Sequence, residues 1–221
     1  LNDHIKPLLL PHAQEVFSSL ERYLHPDPLL VVISGPSGVG KDSVIRRMLE
    51  LQYPFHFVVT TTDRPPRPGE VDGVDYHFVS TVEFETMVAD GEMFEHAVVY
   101  GQYKGVARKH IRQALITGSD VVMRLDVQGA ATIRAQVPQA LGIFLAPPSL
   151  DALLHRLHRR PGDSQEQRQA RVEMALTEME RMHEFDYLVV NQEGCLDETV
   201  KQVVAIMNTE KCRIHREPVS L

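Results

Sequence analysis

Leu29-Leu-Val-Val-Ile-Ser-Gly-Pro-Ser-Gly-Val-Gly-Lys-Asp-Ser43 joins an apolar run to a glycine-rich turn, and the turn to a helical pattern from about Lys41 to Leu51. Leu29–Ser34 is apolar without alternation, the pattern of a strand buried on both faces. The turn Gly35-Pro36-Ser37-Gly38-Val39-Gly40-Lys41 has Walker A spacing, and it lies between strand and helix as that motif requires. Gly38 and Gly40 let successive backbone N–H groups face phosphate oxygens. The helix adds the positive end of its dipole. Lys41 is placed to reach the β- and γ-phosphates of a nucleoside triphosphate. Where the motif carries a Mg²⁺-binding Ser or Thr, this chain has Asp42, then Ser43. A carboxylate holds Mg²⁺ directly or through water. Ser43 lies ~100° further round the helix, so Asp42 is the expected metal ligand.

Outward from this loop, strand and helix patterns alternate. Phe57–Thr61, Val121–Leu125, Ile143–Ala146 and Tyr187–Val190 read as strands. Helical patterns cover Arg108–Thr117, Gln128–Gln136, Leu150–Arg159, Gln165–Glu184 and Leu196–Cys212. Ser80 with Glu83 forms a capping-box signature for a helix ending near Gly91. Strands separated by helices predict an α/β fold with a central parallel sheet flanked by helices. Residues 1–28 form an N-terminal extension. Within it Val16, Phe17, Leu20 and Leu24 lie at helical spacing, so Gln14–Leu24 is expected to be a short amphipathic helix packed on the main body. Residues 213–221 form a C-terminal tail.

Composition narrows the function. The chain has 221 residues, 43% of them hydrophobic, enough for one sizeable core and not for two full domains. Its net charge of −7, 6% aromatic content and lack of Trp argue against nucleic acid as a partner. No apolar run approaches the ~20 residues of a membrane span. Two cysteines, Cys195 and Cys212, form neither a disulfide framework nor a zinc pattern. A cytoplasmic enzyme is expected, or one of the plastid stroma or mitochondrial matrix if the N-terminus is a processed form. The expected state is a monomer or small homo-oligomer.

The stretch Thr62-Asp-Arg-Pro-Pro-Arg-Pro-Gly-Glu-Val-Asp-Gly-Val-Asp-Tyr-His-Phe78 supplies a second phosphate site. Arg64 and Arg67 lie three apart in a proline-stiffened segment, a clamp for a dianionic phosphate. Glu70 is placed to orient a guanidinium, and Tyr76 adds a hydroxyl. A triphosphate loop together with a phosphate clamp implies phosphoryl transfer between two phosphorylated substrates.

With these residues in view, the sequence resembles guanylate kinases, the ATP:GMP phosphotransferases. GPSGVGK, RPPRPGEVDGVDYHFVS, EHAVVYGQYKG, RLDVQG, FLAPPS and VVN occur in that family's order, covering Leu29 to Cys212. Lys-Asp after the loop and the YKG segment look most like the plant organellar branch. The resemblance implies the nucleoside-monophosphate-kinase type of fold. Its core would be 29–61, 97–155 and 172–212, its GMP-binding part 62–96, and its mobile lid about 156–171. It further implies Mg²⁺-dependent, reversible transfer of the ATP γ-phosphoryl group to GMP or dGMP.

Residue by residue, the resemblance makes Arg64, Arg67 and Tyr76 ligands of the GMP phosphate, with Glu70 beside them. Thr60, Glu95 and Asp126 fall at guanine-recognising positions. Chemistry supports the two acids independently, because guanine offers N1–H and an exocyclic NH₂ to carboxylate acceptors, and adenine leaves such acceptors unpaired. Asp126 also ends an apolar strand where a Walker B acid would assist Mg²⁺. Arg156, Arg160 and Arg171 match arginines brought from the lid onto the triphosphate, and Asn191 matches a position near the adenine. From Leu153 to Arg171 five arginines stand against Asp163 and Glu166, a local balance of +3 inside an acidic chain.

Four positions depart from the family pattern. Asp63 stands where Ser or Thr is usual, and Lys104 where a phosphate-binding Tyr is common. Val106 replaces a commonly hydroxylated residue near the guanine. Arg124 replaces a frequent Asp, on the strand face of Asp126, where it pairs with Asp126 or Asp42 or reaches a phosphate. Two rival readings are a ribose 1,5-bisphosphate phosphokinase, which lacks the RPPRPGEVDGVDYHF clamp, and a non-catalytic protein-binding module, in which the phosphate loop is degraded.

Overall fold

The structure is a computed structural model that describes residues 17–18, 20–99, 101–158 and 165–221. In chain order its first elements are α1 (Glu21–Leu24), β1 (Leu30–Ser34), α2 (Lys41–Glu50), β2 (His56–Val58), β3 (Thr61–Thr62) and β4 (His77–Phe78). Next come α3 (Thr81–Ala89), β5 (Met93–Val99), β6 (Gln102–Ala107), α4 (Arg108–Ile116), β7 (Val121–Arg124) and α5 (Val127–Gln136). The chain continues through β8 (Leu141–Ala146), α6 (Leu150–His158), α7 (Gln165–Glu180), a 3₁₀ turn (Arg181–Glu184), β9 (Tyr187–Val190) and α8 (Leu196–Lys211).

All five residues of β1 are buried because helices cover both faces of the sheet. Val31 and Ile33 meet α2 and α8 through Val44, Ile45, Met48, Val200, Val203 and Met207. Leu30 and Val32 face the other way, onto Ile111 and Ala114 of α4 and Ala130 and Ile133 of α5. Each such side chain contributes roughly 1.5–3 kcal/mol on burial, so β1 is anchored from both sides and the loop that follows it starts from a rigid point. The central sheet is parallel, in the order β2-β7-β1-β8-β9. This is the fold class expected, with the phosphate loop and Asp126 both at carboxyl ends of adjacent strands, where open α/β sheets bind ligands.

A second, smaller sheet, β4-β3-β6-β5, stands beside that end. The expected single strand Phe57–Thr61 is divided between the two sheets. His56–Val58 pairs with β7 in the first. Thr61–Thr62 pairs with Lys104–Gly105 and with His77–Phe78 in the second. Val58-Val-Thr-Thr-Thr62 is uniformly β-forming, so nothing local marks where the chain changes sheets. The β5–β6 hairpin carries this sheet to Ala107, beyond the boundary expected at residue 96.

The capping box forms as read: Ser80 Oγ accepts from the Glu83 N–H at 3.2 Å, and Glu83 Oε2 accepts from the Ser80 N–H at 2.8 Å. The N-terminal helix departs from expectation. Of its proposed span, Gln14–Val16 and Ser19 lie outside the described residues. Phe17, Leu20 and Leu24 are exposed by 68%, 46% and 70%, so these three apolar residues are not packed on the body. Attachment there is polar, through Arg22 and Tyr23 donating to the Ile214 carbonyl at 2.7 and 3.0 Å. No helix among the described residues is long and apolar enough to cross a membrane.

Candidate functional site

The loop between β1 and α2 closes under tight steric limits. A Cβ at Gly35 would lie 2.2 Å from the Leu145 carbonyl oxygen, and one at Gly40 2.6 Å from Asn191 Nδ2. Both glycines have positive φ (136° and 102°), which other residues adopt only under strain. Beneath the loop, Asn191 Nδ2 donates to the Val39 carbonyl at 2.7 Å while its Oδ1 accepts from Thr199 Oγ1 at 3.0 Å. Arg156 reaches the same carbonyl at 3.0 Å and the Asn191 carbonyl at 2.8 Å. Asn191 and Arg156 therefore brace the loop from behind.

Lys41 Nζ folds back onto the Gly35 and Pro36 carbonyls at 2.5 and 3.2 Å. Burial pushes its pKa down, opposed by Glu178, Asp42 and Asp126. Glu178, projecting from α7, accepts from the Ser37 N–H at 2.8 Å. A carboxylate thus sits on one of the loop's anion-binding donors. Burial raises its pKa, while the Ser37 hydrogen bond and Lys41 act in the other direction.

Across an open cleft of about 990 Å³ lies the second sheet. Arg64 is buried, its Nη1 on the Pro65 carbonyl at 2.7 Å and its Nη2 on Glu70 Oε1 at 2.8 Å. Glu70 Oε2 accepts from the Arg67 N–H at 2.7 Å, so one carboxylate organises both ends of the Arg-Pro-Pro-Arg segment. The Tyr76 ring lies under the Arg64 guanidinium at 5.1 Å. Lys104 projects from β6 opposite Thr62, and burial lowers its pKa to about 8 despite Asp126, with Arg124, Lys41 and Arg64 adding to the depression.

Deeper in the cleft, Glu95 is 5% exposed, and its Oε2 has no hydrogen-bond partner among the described residues. Burial, with the nearby charge of Asp126, raises its pKa to about 8. Thr60 Oγ1 is likewise buried without a partner. A buried polar atom left in this state is costly, and two of them in one cleft point to a ligand that supplies the missing hydrogen bonds. Asp126 Oδ1 caps α5 by accepting from the Gln128 and Gly129 N–H groups, both at 2.9 Å. Gly129 has a further reason to lack a side chain: a Cβ there would stand 2.9 Å from Glu95 Oε2. Gly129→Ala is therefore expected to displace the Glu95 carboxylate and raise the KM of whatever substrate Glu95 contacts ~10–100-fold, with far-UV circular dichroism unchanged. A KM at the wild-type value in steady-state assays would contradict this.

The structure brings most of the expected residues to one cleft. Ser37, Gly38, Gly40, Lys41, Asp42 and Ser43 line one wall. Thr60, Arg64, Arg67, Glu70, Tyr76, Glu95 and Lys104 line the other, with Asp126 at the base and Arg156 and Arg171 from α6 and α7. Gly35, Pro36 and Val39 belong to the loop but do not line the cleft, and Asn191 lies behind the loop. Arg160 lies outside the described residues, as does Arg159. Val106 is fully buried, paired with Glu95 across the β5–β6 hairpin. Sequence reasoning missed Glu178 and the steric role of Gly129. The signal for Glu178 is its spacing: it lies seven residues, two helical turns, after Arg171 and so shares its face.

Two carboxylates near the loop, Asp42 and Asp126, could serve a metal. Among the described residues no group of three or more His, Cys, Asp or Glu could hold one alone. That donor set fits Mg²⁺, which takes one or two carboxylates and completes its shell with water and substrate phosphates.

A model of the guanylate kinase family matches residues 28–210. Guanylate kinase 2, chloroplastic/mitochondrial, of Oryza sativa subsp. japonica is 48% identical over 206 residues, 93% of this chain and 72% of the rice protein. Guanylate kinase of Desulfitobacterium hafniense (strain Y51) is 40% identical over 190 residues, 86% of this chain and 94% of its own length. The crystal structure of guanylate kinase from Anaplasma phagocytophilum superposes with a TM-score of 0.71 at 29% identity, covering 86% of this chain and 89% of that one.

Proposed function

Because the chain belongs to the guanylate kinase family, and so is a nucleoside monophosphate kinase, we propose that it transfers the γ-phosphoryl group of ATP to GMP or dGMP with Mg²⁺. The observation that carries the base assignment is the orphaned acceptor pair, Glu95 Oε2 and Thr60 Oγ1, facing the same cleft as the phosphate loop. Guanine offers N–H donors of the kind that Glu95 Oε2 lacks.

The triphosphate lies on the N–H groups of residues 37–43 and on Lys41, with Asn191 bracing the loop beneath it, and it displaces Glu178 from Ser37. The GMP phosphate is held by Arg64, Arg67, Tyr76 and Lys104, with Glu70 orienting the clamp and Thr60, Glu95 and Asp126 on the base. Asp42, with Ser43 beside it, would hold the Mg²⁺ that neutralises charge on the β- and γ-oxygens.

A GMP phosphate oxygen attacks the γ-phosphorus in line; the new P–O bond forms as the bond to the β-phosphate oxygen breaks, leaving ADP and GDP. No general base is required, because a phosphate monoester with a second pKa of ~6 is already ionised at neutral pH. Catalysis then rests on alignment and on charge neutralisation by Lys41 and by Arg156, Arg160 and Arg171 of the lid. Closure of the lid and the GMP-binding part over the core excludes water. The name of the rice relative favours the plastid or mitochondrion over the cytosol as the compartment.

The test is ADP formation from MgATP with GMP, dGMP, AMP, UMP or ribose 1,5-bisphosphate as acceptor. Turnover is expected to be fastest with GMP, slower with dGMP and minimal with the others. Absence of turnover with GMP in folded protein would refute the reading.

A further inference from the structure

Arg124 is the last residue of β7, and its side chain is 11% exposed. It pairs with Asp42 in the first turn of α2 through Nη1. Its Nη2 donates to the Asp75 carbonyl at 3.2 Å, in the loop before β4. The guanidinium also lies 4.6 Å from the Tyr76 ring centre and 5.8 Å from that of Phe57. Two guanidiniums, those of Arg124 and Arg64, thus lie over the Tyr76 ring, and Arg64 is held by Glu70. An unbroken run of contacts, Asp42–Arg124–Tyr76–Arg64–Glu70, leads from the helix of the triphosphate loop to the monophosphate clamp.

We propose that Arg124 is a positioning residue that couples the two phosphate sites, using Asp42 as its anchor on the ATP side and the Asp75–Tyr76 segment as its load on the GMP side. The proposal rests on the transfer reading above and adds to it a residue with no assigned part. Three physical arguments support it. A guanidinium buried to this degree is expensive unless paired and hydrogen-bonded, so Arg124 holds whichever of its partners remain and transmits displacement of one to the others. Only Arg offers the planar fork that pairs with a carboxylate, donates to a carbonyl and stacks on a ring together. The pair also cancels the negative charge that Asp42 brings to a loop made for a triphosphate.

The consequence is that a residue on the ATP side governs GMP affinity when no ATP is present. GMP binding is measured by calorimetry without Mg²⁺ or ATP, on wild type, Asp42→Asn, Arg124→Met, Arg124→Lys and the Asp42→Asn/Arg124→Met double variant. Asp42→Asn is expected to raise the GMP Kd ~5-fold or more, within the range of ordinary coupling between sites. Arg124→Met raises it further, and the double variant is no weaker than Arg124→Met alone. Arg124→Lys keeps the charge and loses the stacked fork, and it falls with Arg124→Met. Asp42 is 64% exposed, so its substitution leaves the fold intact.

A GMP Kd within twofold of wild type in Asp42→Asn overturns the proposal while leaving the transfer reading standing. So does an additive double variant, or full rescue by Arg124→Lys. Failure of the wild type to bind GMP at all overturns both.

Discussion

Lys41→Ala is expected to lower the single-turnover rate of transfer from MgATP to GMP on the order of 10³-fold or more, with the GMP Kd near wild type. The fold predicts this separation. Lys41 opens α2 at the carboxyl end of β1, and its Nζ lies on the Gly35 and Pro36 carbonyls, inside the loop the triphosphate occupies. The proposed GMP clamp is built on Arg64, Glu70 and the second sheet, which make no hydrogen bond to Lys41 among those the structure shows. Loss of one preorganised donor at developing charge lowers a rate ~10²–10³-fold, and Lys41 carries a full positive charge. Burial works against that charge, but Glu178, Asp42 and Asp126 sustain it, and a triphosphate sustains it further. Single-turnover transfer of labelled phosphate and GMP calorimetry on the same preparation check the result. Wild-type turnover in the variant would remove the loop from the mechanism.

Glu95→Gln is expected to reduce kcat/KM for GMP ~10²–10³-fold and to narrow the preference for GMP over AMP. An amide presents an N–H donor where guanine presents another, so one hydrogen bond becomes a repulsion. The wild-type pH dependence follows from the same residue. Glu95 has its pKa raised to about 8 by burial and by Asp126, so the free enzyme at neutral pH holds it mostly protonated. Guanine binds the ionised form, and GMP binding therefore releases a proton. Apparent affinity weakens as pH falls below 8, approaching ~10-fold per unit.

Lys104 sets the opposite limb. Its pKa is lowered to about 8, and the GMP phosphate favours its charged form, so affinity declines again above that pH. A bell-shaped profile of kcat/KM for GMP centred near pH 8 results. Glu95→Gln removes the acid limb, and Lys104→Met removes the alkaline one. A flat profile between pH 6 and 8 in the wild type would exclude Glu95 as the group that reads the base.

The central sheet and the phosphate loop were legible because their signals are local. An apolar run, three glycines and a helical period lie within about one turn of chain from each other, and the Ser80–Glu83 box needs only four residues. The Arg64–Glu70–Arg67 contacts were readable for the same reason, since these residues are neighbours in sequence and meet in space. Resemblance then named Thr60 and Glu95 as base-reading positions. The division of Phe57–Thr62 between two sheets left no local trace, since every residue in it favours a strand. Nor did the amphipathic pattern of the N-terminal segment reveal that its apolar residues would be exposed.

Partner choice at the site is a different kind of information. Arg124 had three plausible partners in sequence, and it takes Asp42, 82 residues away, because β7 and β1 are parallel neighbours that bring the end of one strand against the helix following the other. Glu178 reaches Ser37 across 141 residues by the packing of α7. Gly129 leaves room for Glu95 only because α5 packs against β5. Residue type and short-range spacing specify which chemistry the chain carries, through backbone preference and periodic burial. Which charges meet, which donor is already capped and which acceptor stays unpaired depend on long-range packing of two sheets, and they appear only once those sheets are assembled.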